Sequence, residues 1–64
     1  MGGFNTLPLD DAQNIRVYVE AKLNDISDQK LLSYQKQVVN GFNHRLVYLD
    51  ENGEKTEIIV YENI

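Results

Sequence analysis

Residues 30–49 read KLLSYQKQVVNGFNHRLVYL, two segments with alternating apolar positions joined by Asn40-Gly41. Alternation with a period of two is typical of a β-strand that buries one face. Asn-Gly between two such segments is a strong signal for a β-hairpin, because a type I′ turn needs a positive φ at both central positions. The sequence therefore predicts two antiparallel strands, Lys30–Val39 and 42–49, joined by a type I′ turn at Asn40-Gly41.

The core face of this hairpin is predicted from the positions that share one side of each strand. These are Leu32, Tyr34, Val38, Phe42, His44, Leu46 and Tyr48. A second turn is predicted at residues 50–53, Asp-Glu-Asn-Gly, from its turn-forming composition. A third strand follows at 56–61, with Ile58 and Val60 facing inward.

One helix is predicted upstream of the strands, over residues 10–26. Pro8 disfavours helical geometry in the residue before it, and Asp10 stands where an N-cap belongs, with Gln13 three residues later to complete a capping box. Apolar residues then follow at spacings of three and four, which indicates one buried stripe. Its members are Ala12, Ile15, Val19, Leu23 and Ile26. The polar cluster at residues 24–28 favours an end to the helix there.

A helix with one apolar stripe and a sheet with one apolar face can bury those surfaces only against each other. We therefore expect residues 1–64 to form a single α+β domain, with one α-helix packed across an antiparallel β-sheet. The tail, residues 1–9, is expected to give a weak first strand at the sheet edge or none.

Composition narrows the functional class. The 64 residues carry a formal net charge of −4, which argues against nucleic acid as a partner because phosphate binding requires clustered Lys and Arg. No segment approaches the apolar length that spans a bilayer, so no membrane partner is expected. The absence of cysteine removes disulfides and thiolate chemistry and fits a reducing compartment, which favours a cytoplasmic protein.

The residues that could support catalysis are few. His44 is the one histidine, and its position on the predicted core face favours a packed, hydrogen-bonded imidazole over a base or a metal ligand. The acidic pairs Asp10-Asp11 and Asp50-Glu51 are explained by a helix start and a turn. We therefore expect no enzymatic activity, no catalytic residue, no metal and no cofactor.

The segment Gln37-Val38-Val39-Asn40-Gly41 carries the most specific signal. It resembles the first hairpin loop of the cystatin family, inhibitors of papain-like cysteine proteases, whose pattern Gln-x-Val-x-Gly is met by Gln37, Val39 and Gly41. The resemblance extends over most of the chain, in order and spacing. It covers Gly2-Gly3, the helix segment at residues 19–24, residues 32–34 and residues 59–61. The absence of cysteine makes the chain most similar to the stefin type.

The resemblance implies a cystatin-like β-α-β-β-β fold and an inhibitor that acts by shape. The segment around an N-terminal glycine and the first hairpin would form one edge of a wedge that fills the protease cleft without covalent chemistry. The implied protease-binding residues are Gly2, Gly3, Gln37, Val38, Val39, Asn40 and Gly41. Glycine allows close backbone approach, and a rigid hairpin loses little entropy on binding.

The family pattern continues beyond the fourth strand with a second hairpin loop and a final strand, and this sequence stops at Ile64, before them. Self-association to a homodimer is therefore expected. The route is an exchange of the helix end on opening of the Asn40-Gly41 hairpin, an unpaired strand edge, or apolar residues on the outer sheet face. The apolar residues are Val47, Leu49, Ile59 and Tyr61. The alternative function is a cystatin-fold binding or self-associating module without inhibition. If β3 and β4 instead turned their other faces to the helix, the outer apolar residues would be buried, and Leu46 and Ile58 would be exposed.

Overall fold

Four strands and one α-helix make up the part of the chain that the computed structural model describes, residues 2–64. They are β1 (Asn5–Leu7), α1 (Gln13–Lys22), β2 (Lys30–Val39), β3 (Gly41–Leu49) and β4 (Lys55–Glu62). The strands form one antiparallel sheet in the order β1-β2-β3-β4, and α1 connects its first two strands across one face. The predicted α+β class is confirmed. No helix within residues 2–64 is long and apolar enough to cross a bilayer.

The N-terminal tail supplies the first strand. β1 pairs with β2 over three residues, with Thr6 opposite Gln35 and Leu7 opposite Tyr34. This short pairing confirms a weak first strand. It ends at Pro8, which has no backbone N–H to continue the ladder.

The helical region is divided into three pieces, so the prediction of one helix over residues 10–26 is wrong at both ends. A 3-10 helix, Leu9–Ala12, precedes α1, and a second, Asn24–Ile26, follows it. The predicted capping box does not form, because Asp10 lies inside the first 3-10 helix and Pro8 is its N-cap. Leu23 interrupts the helix with φ −121° and ψ 78°.

The apolar stripe nevertheless provides the helical half of the core. Ala12, Val19 and Ile26 are buried although Ala12 and Ile26 belong to the 3-10 segments, while Leu23 faces solvent. They pack against the sheet-side core residues Leu31, Tyr34, Leu46 and Tyr48. Ile58 and Val60 pack against this cluster from β4, which confirms the predicted register of the last two strands and rejects the opposite one.

A bulge in β2 changes which residues face the helix. The pairing of β2 with β3 shifts between Leu31 and Ser33, so Leu31 and Tyr34 are both buried. The prediction had placed Leu32 and Tyr34 on that face, and Leu32 is only half-buried. One extra residue in one strand turns the side chains beyond it to the other face, which strict alternation cannot anticipate.

A polar contact also joins the helix to the sheet. The hydroxyl of Tyr48 donates to Glu20 Oε2 at 2.9 Å, and Arg16 Nε donates to the same oxygen at 2.9 Å. Burial of Tyr48, followed by its bond to Glu20, raises the pKa of Tyr48 to about 12. The folded state therefore keeps the phenol protonated at a pH where the unfolded chain has lost the proton.

We predict that Tyr48→Phe reduces the alkaline loss of stability. In the unfolded chain the tyrosine pKa is about 10, so the contribution of Tyr48 is complete below about pH 10 and is lost as pH rises towards about 12. The variant should lose about 1 kcal/mol of unfolding free energy at pH 8, because the bond to Glu20 is gone, and should then decline less steeply from pH 8 to pH 11. Urea denaturation at both values measures this. Equal slopes for the variant and the parent would contradict it.

Candidate functional site

The candidate site is the end of the β2–β3 hairpin, which extends beyond the helix. A ten-residue helix is about 15 Å long, whereas the ten residues of β2 span about 33 Å. The helix therefore covers only part of the strand pair. Val38 illustrates the result, because it lies opposite Phe42 on the helix-facing side and is nevertheless 58% exposed. Its predicted place in the core is wrong for this reason.

The turn at the hairpin tip is tighter than a type I′ turn. Val39 pairs with Gly41, so only Asn40 separates β2 from β3. Within residues 2–64 a positive φ occurs only at glycines, with φ 120° at Gly41, and Asn40 does not adopt one. The predicted hairpin is present, but its type I′ assignment is wrong.

Gly41 is packed under β4 and does not lie at the open tip. A Cβ at this position would stand 2.5 Å from the backbone oxygen of Glu62 and 2.7 Å from the hydroxyl oxygen of Tyr61. Both contacts are much closer than carbon and oxygen normally approach. The glycine is therefore required by the fold itself, because it allows the end of β4 to lie against the hairpin.

Tyr61 holds the tip of the hairpin, a role that the sequence did not predict, since Tyr61 was expected only on a self-association surface. Its ring covers Gly41, and its hydroxyl donates to the backbone oxygen of Asn40. Aromatic side chains commonly cover a glycine on a neighbouring strand in this way. The available signal was the pairing of Tyr61 with Asn43, which becomes visible only once the β3–β4 register is known.

The N-terminal segment is attached to the same hairpin. Gln37 Nε2 donates to the backbone oxygen of Gly2 at 2.9 Å, and Asn43 Nδ2 donates to Gln37 Oε1 at 3.0 Å. One amide side chain therefore ties the N-terminus to both strands of the hairpin. Gly3 is exposed, with open space where a Cβ would stand.

Four of the seven implied protease-binding residues line one shallow depression. It has a volume of 400 Å³ and is lined by Gly2, Val38, Val39 and Asn40. Gln37 lies beside it through its bond to Gly2, whereas Gly3 and Gly41 do not line it. The seven residues carry no ionisable side chain. The surface can therefore recognise a partner through shape, apolar contact and backbone hydrogen bonds.

A larger cleft of 540 Å³ lies between the helical side of the domain and strands β2, β3 and β4, with buried His44 in its wall. Nε2 of His44 lies 2.8 Å from Glu62 Oε1, and Nδ1 lies 2.8 Å from the hydroxyl of Tyr34. Since a carboxylate only accepts, Nε2 carries a hydrogen, and in the neutral ring Nδ1 accepts from Tyr34. Burial, and then the charges of Asp11 and Glu62, raise the pKa of Tyr34, which remains a donor.

Both imidazole nitrogens are thus occupied by structural partners, which agrees with the packed imidazole expected for His44. Within residues 2–64 no group of three His, Asp or Glu side chains is placed to hold a metal ion. In this cleft, His44 therefore serves to hold β2 and β4 together.

The outer sheet face is more polar than the sequence predicts. Ile59 and Tyr61 are exposed there, but Val47 and Leu49 are half-buried. Arg45 lies opposite Ile59 and Glu57 opposite Val47, and Arg45 Nε donates to Glu57 Oε2 at 2.6 Å. This ion pair interrupts the predicted apolar patch.

Comparison with known proteins does not assign a family. No family model matches the chain, no curated protein matches its sequence, and no solved structure matches its fold.

We predict that Gly41→Ala destabilises the fold by about 2 kcal/mol or more. The reasons are the positive φ and the overlap with Glu62 and Tyr61. Gly53→Ala is the matched control, because Gly53 has φ 82° and open space around a Cβ, so it should cost only about 1 kcal/mol. Thermal or urea unfolding of both variants measures the difference. Equal destabilisation would show that the packing of Tyr61 and Glu62 over Gly41 contributes nothing.

Proposed function

We propose that this protein is a non-enzymatic inhibitor of papain-like cysteine proteases, acting through Gly2-Gly3 and residues 37–41. The observation that carries the proposal is the hydrogen bond from Gln37 to the backbone of Gly2. It joins the two segments that the resemblance to cystatins implies as binding elements, although 35 positions separate them in the sequence.

The physical properties of the site suit a wedge that enters a cleft. The hairpin end extends past the helix, and its exposed apolar side chain is Val38, which would be desolvated in a cleft. The tip is braced by Tyr61, so it would lose little conformational freedom on binding. A glycine at the N-terminal arm allows its backbone to lie close to a protease wall.

The proposed mode of action needs no chemical step. The surface would occupy the cleft and exclude substrate, and no group of the site would react with the catalytic thiol. Gln37 would position the arm, Val38 and Val39 would supply apolar contact, and Gly41 would serve by letting Tyr61 brace the tip. A cysteine-free chain is suited to the reducing cytoplasm, where we place this activity.

Titration of papain with the purified chain tests the proposal directly. Peptide hydrolysis should fall with increasing inhibitor and should recover on dilution, because no covalent bond is formed. Full papain activity at every concentration of the chain would overturn the proposal.

We predict that Val38→Asp raises the inhibition constant against papain by at least about 30-fold, the loss expected at a central apolar contact. The charge would have to be desolvated in the cleft, whereas in the free protein it lies in water. The matched control is Val17→Asp, at a helix position that is 65% exposed and does not line the depression at the hairpin end. Both variants should unfold at the parent's urea midpoint. Equal inhibition constants for Val38→Asp and Val17→Asp would show that Val38 does not contact the protease.

We predict that Gln37→Met raises the inhibition constant about tenfold by releasing the N-terminal arm, which then has to be ordered on binding. Met keeps the length of the side chain but cannot donate to Gly2. Gln35→Met is the control, because Gln35 bonds to Thr6 and Arg45 on the outer sheet face, away from the tip. NMR order parameters at Gly2 and Gly3 should fall in the first variant only. Unchanged inhibition by Gln37→Met would remove the arm from the proposed surface.

A further inference from the structure

β4 is an edge strand whose second side is open. Within residues 2–64, the sheet order places β4 at one end, paired only with β3 over eight residues from Lys55 to Glu62. Every second residue of such a strand directs its N–H and C=O away from the sheet. This edge therefore offers a row of donors and acceptors to a further strand.

The helix extends this open edge into an apolar groove. A depression of 510 Å³ is lined by Tyr18, Val19, Lys22 and Leu23 from the helical side and by residues 58–61 of β4. Tyr18 and Leu23 are exposed although both are large and apolar. Ile58 and Val60, which face the helix, are only half-buried. One additional strand beside β4 would bury all four of these side chains.

We propose that this strand is β4 of a second copy, paired antiparallel with Ile59 on the two-fold axis. The proposal goes beyond the inhibitory function and does not depend on it. Since like edges pair about a two-fold axis, the assembly closes as a dimer. Both helices then lie on the same face of one eight-stranded sheet, and Tyr18 and Leu23 of each copy cover the new junction.

The side chains of β4 select this register. Residues directly opposite in an antiparallel pair lie on the same sheet face, so the axis must pass through a residue. With Ile59 at the axis, Ile58 lies opposite Val60 of the second copy on the helix side, twice by symmetry. Glu57 lies opposite Tyr61, and Thr56 lies opposite Glu62. No two acidic side chains of residues 54–64 are then directly opposed.

The neighbouring registers are less favourable. An axis through Glu57 would place the Glu57 carboxylates of the two copies opposite each other. An axis through Ile58 would place Glu54 of one copy opposite Glu62 of the other. An axis through Val60 would place Glu62 against Ile58 and shorten the pairing. The acidic side chains of β4 disfavour its pairing with other strands. They permit pairing with β4 of a second copy in the register centred on Ile59.

Sedimentation equilibrium of the full chain tests the proposal over a hundredfold concentration range that reaches about 1 mM, because a small interface gives a weak dimer. The mass should rise from 7.4 kDa towards twice that value. Ile59→Lys should raise the dissociation constant at least about tenfold, since it opposes two like charges at the axis. Val17→Lys, an apolar-to-lysine change at another exposed position, on the helix, should dimerise like the parent.

Mixing Ile59→Lys with Ile59→Glu identifies the register. Each variant alone should remain a monomer, and an equimolar mixture should form a heterodimer with at least the parent's affinity. A mass of 7.4 kDa for the parent at every concentration would overturn the proposal and leave the groove to a partner of another sequence. A parent dimer that Ile59→Lys leaves intact, or two variants that fail to associate when mixed, would also overturn it.

Discussion

A ten-residue helix provides the helical cover over one face of the four-stranded sheet, and the remaining features follow from how little it can cover. The helix lies over the middle of the strands, where Leu46 and Tyr48 are fully buried. It leaves the hairpin end at Val38 open on one side and the edge of β4 open on the other. The two surfaces for which we propose partners are thus both consequences of the short helix.

Polar side chains join the layers where apolar area is limited. Glu20 receives hydrogen bonds from Arg16 on the helix and from Tyr48 on the sheet, and His44 connects Tyr34 on β2 with Glu62 on β4. Buried polar groups are favourable only when their partners are present, and these groups have them. Their bonds fix the distances between elements that a small apolar core alone would leave adjustable.

The last residues of β4 link the candidate site to the free edge. Tyr61 covers Gly41 and bonds to Asn40, the backbone of Glu62 lies over Gly41, and the side chain of Glu62 bonds to His44. The hairpin tip is therefore braced by the strand whose other side is unpaired. Pairing of that edge would order β4, and through Tyr61 it would also restrict the hairpin.

The sequence by itself determined the order of the helix and the three long strands, the position of the first hairpin and the helix-facing register of β3 and β4. These follow from local periodicity and from turn residues, which act over a few neighbouring positions. The tertiary structure decided the break at Leu23, the bulge after Leu31 and the exposure of Val38, because each depends on what the helix can reach. It also decided that Gln37 holds Gly2 and that Tyr61 covers Gly41. Those contacts join residues far apart in the chain, and their geometry exists only after the strands have paired.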